Sequence, residues 1–152
     1  MTSKKVVMLS IAGLLMTASF FAFSGSALAQ EGLIRSRLAS APPYRVPQST
    51  VEGSGDVWWS LNGSTLELTG TFKGLASAST VARIHMGRMT AIMGDPVFDL
   101  NVEKAEDGRS GIITGSVNLN SDQVQALRDG RLYVQLDSEG TENGHLQGWL
   151  LQ

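Results

Sequence analysis

The sequence predicts an all-β domain, an antiparallel Greek-key-like sandwich or barrel with one short helix. Three observations predict it. From Gly53 onward, short apolar runs are split by glycine at intervals of about ten residues, the spacing of a many-stranded antiparallel fold. Residues 65–72 alternate, with Leu66, Leu68, Gly70 and Phe72 on one side and Thr65, Glu67, Thr69 and Thr71 on the other, the period of a half-buried strand. Helix start and stop signals occur together only around Ser121 to Gly130.

The chain has 152 residues, 42% hydrophobic and 17% charged, which suits one compact core and not a disordered chain. It has no cysteine, which excludes disulfides, thiolate zinc sites, iron–sulfur clusters and cysteine nucleophiles. A formal net charge of −2 makes no electrostatic case for nucleic acid.

The N-terminus reads as an address. Lys4 and Lys5 precede an apolar run from Val6 to Phe23, followed by Ser24, Gly25, Ser26 and then Ala27-Leu28-Ala29. This is the order of a secretory signal peptide over residues 1–29, with cleavage expected before Gln30. The mature chain is thus expected to be exported, to periplasm or medium, with no transmembrane segment. Losing Lys4 and Lys5 leaves ten basic against fourteen acidic residues, a mature charge of −4. In residues 30–51, Pro42, Pro43 and Pro47 oppose regular helix and central strand, and Arg35, Arg37 and Arg45 make the stretch basic. It is read as an N-terminal, Pro-containing linker, and the β domain is expected over 52–152.

Within that domain, Asp56 to Leu61 reads as a strand, and Asn62-Gly63 as a tight turn into the alternating strand that ends at Phe72. Thr80 to Met86 is the next strand. Pro96 to Val102 follows, with Val97, Asp99 and Asn101 opposite Phe98, Leu100 and Val102. Glu103 to Arg109 is a charged turn, and Ser110 to Leu119 a glycine-broken strand. Ser121 is read as a helix cap, Asp122 as an acidic first-turn residue and Gly130 as the C-terminal glycine. Arg131 to Leu136 and Gly144 to Leu151 complete about seven strands.

Several short words now stand in a fixed order. They are Ala82-Arg83-Ile84-His85-Met86-Gly87, Gly94-Asp95-Pro96-Val97-Phe98-Asp99-Leu100, Gly111 and Gly115, Asp122 to Leu127, Gly130-Arg131-Leu132-Tyr133-Val134 and Gly144-His145-Leu146-Gln147-Gly148. Over residues 52–151 the chain resembles the CHRD (chordin-repeat) domain family. The resemblance implies an extracytoplasmic antiparallel β domain, and in chordin such repeats belong to a secreted antagonist that binds growth factors. Two positions depart from the family pattern. Arg83 stands where the family often has the first His of an A-H-I-H-G strand, and His145 stands where a Glu is usual.

The chemical candidates are few. The mature methionines, Met86, Met89 and Met93, lie in one eight-residue window beside His85. Thioether and imidazole ligands suit Cu(I), which makes His85, Met89, Met93 and His145 candidate metal ligands. His85 and Met86 point to opposite faces of their strand. If the last strand lies beside the 80–86 strand, His85 and His145 share a face, where Asp95 or Asp99 can join them around zinc. No G-x-S-x-G turn or alternating-carboxylate calcium loop is present in the sequence. Trp58 and Trp59 are adjacent, so one ring enters the core while the other faces outward as a platform for a partner, with Trp149 available on a neighbouring strand. The reading that results is an exported, non-enzymatic protein without a cofactor, binding an unidentified protein partner through strand faces or edges. A periplasmic copper-binding protein is the alternative.

Overall fold

The computed structural model describes residues 32–40, 52–88 and 92–152, and of residues 92–93 and 141–145 the backbone alone. The expected signal peptide and the three linker prolines lie outside the described residues. Eight strands are β1 (Ile34–Ser40), β2 (Ser54–Asn62), β3 (Thr65–Lys73), β4 (Ser79–Arg88), β5 (Ile92–Lys104), β6 (Gly111–Asn118), β7 (Leu132–Ser138) and β8 (Thr141–Trp149). They close into an antiparallel barrel in the order β1-β2-β3-β6-β5-β4-β7-β8. The helix α1 (Ser121–Arg128) joins β6 to β7, which flank the β5–β4 pair, so this segment crosses one barrel end. No helix among the described residues is long and apolar enough to cross a membrane.

The expected linker does not hold for residues 34–40. They form β1, which pairs with β2 from Ile34↔Trp59 to Leu38↔Gly55 and with β8 through Ala39↔Gln147 and Ser40↔Leu146. Proline constrains its own position and the residue before it, and that constraint does not reach back to position 40. Ahead of the prolines, buried Ser36 and Leu38 alternate with exposed Arg35, Arg37 and Ala39, a short period-2 pattern. The arginines belong to the outer side of a barrel strand.

Two local devices differ by one residue from the sequence reading. Asn62 pairs with Thr65, so the β2–β3 connection is Gly63-Ser64. Gly63, at φ +62, supplies the positive φ that such hairpin turns need at their first loop position. The cap of α1 is Asn120. Its side chain accepts from the Gln123 backbone N–H at 2.9 Å, while the Gln123 side chain accepts from the Asn120 N–H at 2.9 Å. Capping from Ser121 would place Val124 at the third position, where no polar side chain can return the bond. Gly130 ends the helix as expected, at φ +65.

The core fills the barrel. Leu38, Val57, Trp59, Leu66, Ile84, Ile113, Val134, Leu136 and Leu146 are fully buried, and Ala126 and Leu127 of α1 join them. Pro96 is accommodated in β5 beside a register shift at Ile84/His85, the kind of place where a missing N–H is tolerated. At the opposite end from α1, the loops tie one another down: Leu75 N–H donates to Arg109 O, Ser79 N–H to Gly108 O and Glu139 N–H to Ala78 O.

Leu38→Ala tests the role of β1. Truncating a fully buried leucine should lower unfolding free energy by about 2–4 kcal/mol, read by urea denaturation. A change within about 0.5 kcal/mol, the usual size for an exposed site, would return residues 34–40 to a linker.

Candidate functional site

The adjacent tryptophans separate as alternation requires. Trp59 is fully buried in the barrel, and its indole N–H donates to Ser36 Oγ at 3.1 Å. It is therefore core and does not join a surface platform. Trp58 is half-buried on the outer face, where the row Arg35, Trp58, Thr69, Thr114 and Asn101 crosses β1, β2, β3, β6 and β5. The Arg35 guanidinium lies 6.0 Å from the Trp58 ring centroid. Its Nε and Nη2 both reach Asp56 Oδ1 at 2.9 Å, which anchors the arginine beside the ring. Leu33, Trp58, Ser60, Glu67, Leu68 and Thr69 line a shallow cleft of about 200 Å³.

A second cluster lies across β4, β7 and β8, where His85, Tyr133 and Trp149 are in register. The His85 ring stacks on Tyr133 with centroids 5.1 Å apart, and Tyr133 meets Trp149 at 4.7 Å. His85 is 5% exposed. Its Nδ1 lies 2.9 Å from the Gly94 carbonyl oxygen. A carbonyl only accepts, so Nδ1 carries a proton, and in the neutral ring Nε2 presents a lone pair. That Nε2 is buried and has no hydrogen-bond partner among the described residues. The Gly94 N–H donates to Tyr133 Oη at 3.1 Å, so one glycine residue holds both rings. A Cβ at Gly94 would collide with the Met86 carbonyl, and this close approach requires glycine.

Beside the aromatic row runs a polar network. Arg83 Nε donates to Asp99 Oδ1 at 3.0 Å, and its Nη1 lies 3.6 Å from Asp137 Oδ2. Gln135 donates to Asp137 at 2.9 Å, and Gln147 donates to Gln135 at 2.8 Å. The arginine in a position where the family often has histidine thus sits between two carboxylates, one of them on a residue only 3% exposed. Sequence reasoning missed Tyr133, Gln135 and Asp137. Their alternation with Leu132, Val134 and Leu136 was the available signal.

The expected ligands stand as follows. His85 is placed as above, and Met86 packs against the core on the other face of β4. Met89 and the side chains of Met93 and His145 lie outside the described residues. β7 separates β4 from β8, so the strand pairing that a shared His85–His145 face required does not occur. Asp99 pairs with Arg83, and Asp95 is exposed. No group of three or more His, Cys, Asp or Glu residues able to hold a metal ion occurs among the described residues.

Comparison with known families finds the CHRD domain over residues 34–150, a span that begins at β1. No curated protein and no solved structure matches the chain.

Tyr133→Phe should keep the ring stack and remove the acceptor of the Gly94 N–H. The expected loss is about 1–2 kcal/mol of stability in thermal or urea unfolding. An unchanged midpoint would mean that Gly94 needs no bond from Tyr133.

Proposed function

The chain belongs to the CHRD domain family, and on that premise we propose that it is an exported, non-enzymatic domain that binds a protein partner through the outer face of β1, β2 and β3. The family's members are in general non-enzymatic and extracellular. The order of residues 1–29 supports export of this chain. The observation that carries the docking reading is Trp58, a half-buried indole on an outer sheet face beside a cleft. Tryptophan is among the side chains enriched where a few residues dominate interface energy. Faces serve this reading better than edges, because barrel closure pairs the strands with one another and leaves little edge for strand addition.

A second reading, copper binding at His85 with Met89 and Met93 and without His145, which β7 separates from His85, is favoured by the buried Nε2, which has no hydrogen-bond partner among the described residues. A backbone carbonyl on Nδ1 is the arrangement that orients an imidazole for a metal through its other nitrogen. This reading expects stoichiometric Cu(I) uptake against a competing chelator, lost in His85→Gln and in a Met89/Met93 double substitution. Uptake that both variants retain, or none above a nonspecific level, removes it.

For the docking reading, a photoreactive residue at Thr69, beside Trp58, should cross-link one exported protein. The same group at Thr80 of β4, on the opposite barrel wall, should not. Binding of that purified protein should weaken about tenfold or more in Trp58→Ala. Equal capture at both positions, or unchanged affinity, would contradict the reading.

A further inference from the structure

The chemistry of the Trp58 cleft indicates what it takes. We infer that it receives a cationic side chain, lysine or arginine, from the protein partner; the inference rests on the docking reading above and specifies its contact. Four observations converge on it. Glu67 is exposed at the cleft, and its carboxylate makes no ion pair or hydrogen bond with any described residue. Ser60 and Thr69 add hydroxyl oxygens that accept hydrogen bonds. Trp58 and Leu33 supply apolar wall for an aliphatic stem, and the indole face attracts a cation. The neighbouring cation, Arg35, is already neutralised by Asp56 at 2.9 Å.

The rows of the sheet make this geometry specific. Ser60 and Glu67 are direct partners across β2 and β3, and Trp58 and Thr69 are partners one step along. The carboxylate therefore lies diagonally from the indole on the same face, within reach of one long side chain that stacks on the ring. Arg35 comes from β1, on the other side of β2, and shows that this ring accepts a guanidinium. Glutamate or aspartate from a partner would meet the Glu67 charge, and an apolar side chain would leave that carboxylate desolvated without a partner. The excess of acidic residues in the chain favours a basic partner at longer range.

The test uses three capped pentapeptides, Gly-Ser-X-Ser-Gly with X as Arg, Lys or Gln, titrated into the 15N-labelled exported chain. The readout is the Trp58 indole N–H resonance, assigned with Trp58→Leu. Arg and Lys peptides should shift it in a saturable way, the Gln peptide should not, and added salt should weaken the effect. Glu67→Gln should weaken Arg-peptide binding about threefold, and Trp58→Leu about fivefold. Thr114→Val, on the same face two strands from Trp58, controls for nonspecific association. Equal shifts with the Gln peptide, an unaltered affinity in Glu67→Gln, or no shift with any peptide each overturn the inference. Photo-cross-linking from Thr69 does not depend on charge selectivity, so the docking reading stands or falls separately.

Discussion

A buried indole N–H has to find an acceptor, and Trp59 finds Ser36. That bond crosses from β2 to β1 inside the barrel. Trp59 is among the largest fully buried side chains, so its environment shapes much of the core. Without β1 the indole N–H would lose this acceptor, at a cost on the order of 1–3 kcal/mol. Without β1, β2 and β8 would also each present an unpaired edge. The family match starts at Ile34, so β1 lies within the matched span. Packing and edge pairing thus require the same strand.

From this closure follows the character of the outer surface. Strands paired on both sides offer faces, and the face next to β1 carries Trp58 with Arg35 and Asp56 fixed beside it. The opposite wall is different. There β7 is buried along its whole length, and its outward Tyr133, Gln135 and Asp137 are held by His85, Arg83, Gln147 and Trp149. One wall is open and amphipathic, the other is tied by aromatic stacking and hydrogen bonds. The docking surface proposed above lies on the first. The second holds its groups in place among themselves.

Much of this was legible in the residues, for physical reasons that can be named. Alternation placed β3 and the second half of β5 correctly, because burial on one face of a sheet imposes period two. It also separated Trp58 from Trp59, and the apolar Val57 and Leu61 on one side against Asp56 and Ser60 on the other mark Trp59 as the inner ring; its bond to Ser36, across 23 residues of sequence, had no such local sign. β1 was obscured by the prolines that follow it and by arginines that read as a basic arm. The cap and hairpin turn were each displaced by one residue, because reciprocal bonding by Gln123 and pairing of Asn62 with Thr65 depend on geometry that composition does not contain. The Arg83–Asp137 contact joins residues 54 positions apart and had no local signature.

Hydrogen exchange of residues 30–152 tests the central claim most directly, that β1 closes the barrel and so makes the Trp58 face a sheet interior. The paired amides of β1 and the Trp59 indole N–H should exchange only through global unfolding, in the slowest class with the amides of β2 and β3. Exchange of residues 34–40 through a low-energy opening, with the other strands still protected, would contradict the account. Trp58 would then sit on an edge strand, and strand addition at β2 would become the stronger docking mode.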